Sequence, residues 1–275
     1  MVSRQLYIGI ARILLIANFA VILAGCGSTD VSQTMGVEER FAHAKKLYDN
    51  GDFVEAVNEF TVITLQYPGS AFAADAQYYL GECRFGRGEF LLAAFEYSVV
   101  KRNYAASPRV ADAQYKIALS YYNLSPKSSL DQQYTRRAID ELQSFVEYYP
   151  GHEKAPDADA KIRELTSRLA KKQYENAVQY VKMSYYRSAL FYFDEVIEKY
   201  HDTEFAPLAF VGKTELLISR DRYKEARDEI TKFISRYPNN VLRGRIDELK
   251  SKVDHELGTP SSDVHDASPS GVHGS

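Results

Sequence analysis

The sequence predicts an all-α fold built as an array of stacked helix hairpins, and three observations carry that prediction. The pentapeptide Ala74-Asp75-Ala76-Gln77-Tyr78 recurs unchanged as Ala111-Asp112-Ala113-Gln114-Tyr115, 37 residues later. Self-similarity at a period of roughly 20–50 residues marks repeat architectures. An alanine is followed eleven residues later by a tyrosine five times: Ala56 and Tyr67, Ala93 and Tyr104, Ala138 and Tyr149, Ala189 and Tyr200, Ala226 and Tyr237. Between these markers a large side chain stands four residues after each alanine (Phe60, Tyr97, Leu142, Phe193, Ile230) and another seven after (Ile63, Val100, Phe145, Val196, Phe233). Steps of four and seven return to one face of a helix, and the alanine leaves room on that face for a partner helix.

Taken in order, the chain opens with Arg4 and Arg12 around an apolar core, Ile13 to Leu23, too short for a membrane span. It ends in Leu23-Ala24-Gly25-Cys26, which looks like a bacterial lipobox, where small residues admit the signal peptidase and the thiol receives diacylglycerol. Residues 1–25 read as a lipoprotein signal peptide, Cys26 as the lipid-attachment site, and 26–37 as a lipidated linker. An acylated cysteine would hold the domain on a membrane. Gly27, where an aspartate would favour inner-membrane retention, points to the outer membrane.

The repeat region spans 38–256. Gly51 and Gly88 are placed to turn the first two hairpins, with Ala44 and Gly81 as small residues of their first helices. Tyr67-Pro68-Gly69, Tyr149-Pro150-Gly151 and Tyr237-Pro238-Asn239 are expected to end helices, since proline cannot continue one and glycine or asparagine turns readily. The third hairpin has an extended connection, Leu124 to Leu130. The alanine spacings of 37, 45, 51 and 37 require extra chain before the fourth hairpin, which 154–182 supplies as one long helix rich in Ala, Lys and Glu. A closing helix is expected near 241–256. Residues 257–275, polar and rich in Gly, Pro and Ser, read as a disordered tail.

The pattern of small residue, aromatic four later and proline twelve later, as at Ala56, Phe60 and Pro68, resembles the tetratricopeptide repeat. The resemblance implies a right-handed α-solenoid of five tetratricopeptide-like hairpins plus the closing helix. His201 departs from it where proline would stand.

Composition narrows the function. The net charge is −3 and falls to −5 once Arg4 and Arg12 leave with the signal, so no nucleic-acid partner is suggested. The six histidines form no metal-ligand spacing, and no phosphate loop, nucleophile elbow or calcium loop is present. The reading is therefore a non-enzyme with no metal and no cofactor. Cys83, the second of two cysteines, reads as core filling. The 21 tyrosines with no tryptophan are more informative, because tyrosine buries a ring while keeping a polar tip. Within the doublets Tyr78-Tyr79 and Tyr121-Tyr122, adjacent residues point about 100° apart, so one can enter the core while the other reaches a groove. Tyr78, Tyr122, Glu82, Arg84, Gln114 and Lys116 are the candidate groove residues for a substrate or partner polypeptide.

The lipobox, the five hairpins and the long helix resemble the BamD family of the outer-membrane β-barrel assembly machinery. The specific stretch is Asp131-Gln132, Ala138, Tyr149-Pro150, Ala158, Leu165, Arg168-Leu169-Ala170 and Tyr186-Arg187-Ser188-Ala189. The resemblance implies a periplasm-facing scaffold, lipid-anchored to the outer membrane, binding the barrel-forming subunit through its C-terminal repeats. It further implies that the N-terminal repeats receive unfolded outer-membrane proteins and that accessory lipoproteins join. The alternative is a periplasmic repeat coordinator of an envelope complex such as Tol-Pal, which usually has a trimerising coiled coil and no lipobox.

Overall fold

A computed structural model describes residues 35–258. Among the described residues there are eleven α-helices and no strand: α1 (Val37–Asn50), α2 (Phe53–Gln66), α3 (Ala73–Gly86), α4 (Phe90–Asn103), α5 (Arg109–Leu124), α6 (Gln133–Tyr148), α7 (Ala155–Lys182), α8 (Tyr186–Lys199), α9 (Phe205–Ser219), α10 (Tyr223–Arg236) and α11 (Arg243–Glu256). The chain divides into two compact units between Cys83 and Arg84, inside α3. In the first, α1 packs on α2. In the second, each helix from α4 to α11 packs on the next, and α9 also touches α7 and α11. Contacts that stay within a hairpin or reach only the adjoining one are the mark of a solenoid. The expected signal segment, the expected lipid attachment at Cys26 and residues 259–275 of the expected tail lie outside the described residues. The first two tail residues are described, and Leu257 continues from α11 and packs on the core of the second unit rather than standing free.

The periodic positions form the core. All fifteen alanine, plus-four and plus-seven side chains are at most 1 % exposed. Each large one contributes about 1.5–3 kcal/mol by leaving water. Cys83 is fully buried beside Phe60, Ile63 and Leu80.

Both kinds of turn repeat in detail. Each second helix ends on its marker tyrosine, with φ of −129, −129, −131, −128 and −130° at Tyr67, Tyr104, Tyr149, Tyr200 and Tyr237. The tyrosine N–H donates to the carbonyl four residues back, and its own carbonyl accepts from the third residue on, for instance Ser70 N–H at 3.0 Å and His152 N–H at 3.0 Å. Tyr104 and Tyr200 stop their helices this way although Ala105 and His201 follow, so proline is not what ends these helices. Within the hairpins, a left-handed residue turns the chain: Gly51 (φ 86°), Gly88 (φ 73°), Ser184 (φ 61°) and Asp221 (φ 56°). The following N–H reaches back to the carbonyl five residues before it, as from Asp52 to Leu47 and from Arg222 to Leu217, which satisfies orphan helix-end carbonyls. The sequence reading recognised the two glycines and missed the two L-residues.

The third hairpin lacks this turn and instead ties down its longer connection. Gln132, 1 % exposed, donates its amide to the carbonyls of Lys127 (2.8 Å) and Leu130 (3.0 Å), and Thr135 donates to Gln132 Oε1 (2.7 Å). The long helix is present as expected, 28 residues with Pro156 in its first turn, where a missing N–H does no harm. It buries Leu165, Leu169, Ala170 and Ala177. Its Arg168 reaches the long connection at Ser125 Oγ (2.7 Å) and the Ser125 carbonyl (3.2 Å).

Candidate functional site

The six sequence-predicted groove residues do not share one environment. In the first unit, Tyr78 and Glu82 lie one turn apart on α3. Tyr78 is buried at 8 % exposure, its ring edge-on to Tyr79 at 5.9 Å. Tyr79 stacks on Phe60 at 5.5 Å and meets Tyr48 at 5.1 Å. Lys45 caps both the Tyr48 and Tyr79 rings, at 5.4 and 5.3 Å. Glu82 accepts from the Tyr48 hydroxyl at 3.4 Å. Burial, then the Glu82 charge, push the Tyr48 phenol up to about 12. The expectation that Tyr78 lines a groove is corrected to this extent: the side chain is buried, while the aromatic cluster of this unit is built by its neighbour Tyr79.

In the second unit, Arg84 pairs with Glu89 at 2.9 Å, closing the hairpin turn that contains Gly88. Lys116 places its ammonium 5.1 Å from the Phe85 ring. Gln114 is 2 % exposed: its amide donates to Glu141 Oε2 (2.9 Å) and to the Glu141 carbonyl (3.2 Å), while Lys101 donates to its oxygen. It ties α4, α5 and α6 together and offers no polar atom to a groove, a second correction. A buried amide has to be satisfied, and here neighbouring helices satisfy it.

Tyr122 leads to an open site through its hydrogen-bond partner on α7. Its hydroxyl donates to Glu164 at 2.6 Å, and Lys161 lies 5.0 Å over its ring. The Glu164 hydrogen bond, burial and the Glu164 charge together raise its pKa. One helical turn on, Arg168 donates to Glu164 at 2.8 Å. These two residues line a cavity of about 660 Å³ with Lys127, Lys171, Glu175 and Phe205, between the long connection, α7 and the start of α9. Glu164, Arg168, Lys171 and Glu175 are spaced four, three and four along α7, a charged stripe that a helical-wheel reading of 154–182 could have found. Deeper in the same layer, Tyr115 donates to Asp157; this bond is the chief cause of the lowered Asp157 pKa, and burial followed by the same bond raises that of Tyr115.

A second site lies between α8 and α9. A cavity of about 600 Å³ has Leu190, Leu216 and Leu217 among its walls, with Tyr186, Arg187 and Arg220. Arg220 sits 4.8 Å over the Tyr186 ring. A smaller hollow of about 330 Å³ adjoins it, sharing Arg187 and Phe191 and adding Tyr180 and Tyr192, whose rings stack at 5.3 Å. Phe191 and Tyr185 are each 58 % exposed. Below this surface Lys213, 13 % exposed, bonds Asp194 and lies 3.0 Å from Glu229. Burial alone would lower its pKa, but the two carboxylates outweigh it and hold it above the ordinary value. The aromatic and arginine character of this site was not anticipated, although Tyr186-Arg187 stood among the residues singled out in the sequence.

Among the described residues, no cluster of three or more His, Cys, Asp or Glu side chains could hold a metal ion, and no helix is long and apolar enough to cross a membrane. Both cavities offer hydrogen-bonding and aromatic groups suited to a polypeptide surface.

Comparison with known proteins gives a match to a family model, YfiO, described as outer membrane lipoprotein, over residues 33–217. The chain is 26% identical over 213 residues, 76% of its length and 70% of the relative's, to the outer membrane protein assembly factor BamD of Caulobacter vibrioides. Among solved structures it resembles the TPR2AB domain in the pHSP90 complex of yeast Sti1 (15% identity, 80% of this chain and 84% of that chain, TM-score 0.41). It also resembles a tetratricopeptide repeat protein from Parabacteroides merdae (15% identity, 81% and 91%, TM-score 0.36).

Proposed function

The chain belongs to the YfiO family of outer membrane lipoproteins, to which the BamD resemblance pointed, and on that premise we propose that it is a scaffold for assembling outer-membrane β-barrel proteins. The observation that carries the proposal is the similarity to an outer membrane protein assembly factor over 213 residues, most of the repeat region. In this reading residues 1–25 are removed, Cys26 carries the lipid, 26–37 link it to a repeat domain over 38–256, and 257–275 form a polar tail. The protein faces the periplasm, works without a cofactor and catalyses no reaction.

Its C-terminal repeats hold the barrel-forming subunit, and the exposed Phe191, Tyr185 and Arg187 support that assignment as a ready contact surface. Aromatic and arginine side chains are the types that anchor protein interfaces. Its N-terminal repeats receive unfolded barrel proteins, with Glu82, Arg84, Lys116 and Tyr122 as the contact residues and accessory lipoproteins as further partners.

The test is to purify the tagged lipidated protein from membranes and identify what accompanies it. Recovery of a barrel-assembly subunit is expected; recovery of Tol-Pal components without one would overturn the proposal. Cys26→Ala should move the protein out of the membrane fraction.

A further inference from the structure

The five repeats act as internal controls for one another, because each second helix holds the same place in its hairpin. Two residues before, one before and two after the buried alanine, α2 carries Val54, Glu55 and Asn58; α6 carries Arg136, Arg137 and Asp140; α8 carries Arg187, Ser188 and Phe191; α10 carries Lys224, Glu225 and Asp228. In α4 the same three positions are Leu91, Leu92 and Phe95, and they are 49, 47 and 56 % exposed. The fold does not require apolar groups there, since four repeats do without a full set. Leaving three of them in water is unfavourable, so something covers them in the working protein.

What surrounds the triad indicates its occupant. Leu91 borders a cavity of about 540 Å³ whose walls include Tyr121, Tyr134, Arg136 and Arg137. The two tyrosines stack at 6.3 Å, and Arg137 lies 5.5 Å over the Tyr121 ring. Arg102, further along α4, is 5.9 Å from the Phe95 ring. Arg102 and Arg136 have no ion-pair partner among the described residues, while Arg137 pairs with Glu141. Acidic groups are present but few: Asp140 borders the cavity, and Glu96 lies on α4. Aliphatic and phenyl groups at the tip, tyrosines beside them and unpaired arginines around them form the combination that sits at a lipid headgroup boundary, with arginine charge meeting anionic lipid.

We infer that the outer face of α4, with Leu91, Leu92 and Phe95 at its centre, docks onto the anionic phospholipid surface to which the chain is tethered, fixing how the repeat domain lies against that membrane. The inference rests on the lipoprotein reading above. Lipid at Cys26 supplies the attachment, and a tethered domain needs only a weak second contact to take up one orientation, because attachment makes that contact intramolecular.

The chain contains no tryptophan, so Phe95→Trp introduces a single reporter at an exposed site. The lipidated Phe95→Trp protein, purified from membranes, is reconstituted in vesicles of phosphatidylcholine with phosphatidylglycerol, with and without brominated acyl chains. Asp228→Trp, at the equivalent position of the last repeat, is the reference. Docking at the roughly 5–10 Å depth of an interfacial helix should quench the indole emission of the Phe95→Trp protein about twofold with brominated lipid and shift it to the blue, with little change for the Asp228→Trp protein. Adding Arg102→Glu and Arg136→Glu should remove the quenching. If the protein floats with the vesicles but Phe95→Trp is quenched no more than Asp228→Trp, the docking face is refuted and the anchor stands; the triad then belongs to a polypeptide partner. If the protein fails to float with the vesicles at all, the anchor reading and the docking inference fall together.

Discussion

Replacing Gly212 with alanine sets two known effects against each other, and the structure says which wins. Gly212 lies inside α9, where alanine would ordinarily be favoured by about 1 kcal/mol through helix propensity. A Cβ there would lie 2.7 Å from Cζ and 2.9 Å from Cε1 of Phe193. Carbon atoms are at ease roughly 3.5–4.0 Å apart, so the ring would have to retreat by about 1 Å. Phe193 is 1 % exposed, packed against Tyr174 at 6.1 Å, and its ring has no flexible end that could swing away. Overpacking of this kind typically costs about 1–3 kcal/mol. It should exceed the propensity gain and leave Gly212→Ala destabilised by about 1 kcal/mol. Urea unfolding of the full chain, followed by circular dichroism, measures it. Because repeats need not unfold all together, hydrogen exchange in α8 and α9 should be read alongside. Phe193→Leu in the Gly212→Ala background should cost less than Phe193→Leu alone, since leucine vacates the contested space. A neutral or stabilised Gly212→Ala, or additive effects in the pair, would refute the close-approach argument.

Ser184→Gly should raise the melting temperature, since an L-residue at φ 61° carries roughly 1–2 kcal/mol of strain that glycine escapes, partly offset by glycine's unfolded-state entropy. The reverse change, Gly51→Ala at φ 86°, should lower it. Gln114→Leu should destabilise the α4 to α6 layer by about 1–3 kcal/mol by stripping partners from Lys101 and Glu141, seen as faster amide exchange in those helices. For pH, the Tyr48 phenol is raised in the folded state to about 12, so the folded chain holds that proton more tightly than the unfolded chain does. Its contribution is intact below the unfolded value near 10 and is lost as pH rises towards 12, with Tyr115 and Lys213 acting in the same direction. Wild type should therefore lose stability over that range in an alkaline titration, and Tyr48→Phe should lose less.

Sequence alone was enough to specify the helical array. Its alanine-to-tyrosine spacing marks the buried face of each second helix, because 3.6-residue geometry leaves no other way to put Ala56, Phe60 and Ile63 on one side. The long helix and the extended third connection were legible for the same reason, as chain length that the repeats could not absorb. What ends the helices was misread. Proline stood out in the sequence, yet the tyrosine cap holds its shape at Tyr104 and Tyr200 without one.

The candidate site was legible only in part. Tyrosine doublets and polar neighbours on first helices gave residue types and positions, but a helix face becomes core or surface only when its neighbours are placed. Tyr78 and Gln114 are both buried, and Gln114 is held there by neighbouring helices that satisfy its amide. The charged stripe around Arg168 and the arginine and aromatic hollow at Tyr186 depend on segments distant in sequence meeting in space. Local periodicity carries no information about such meetings, and packing between helices decides them.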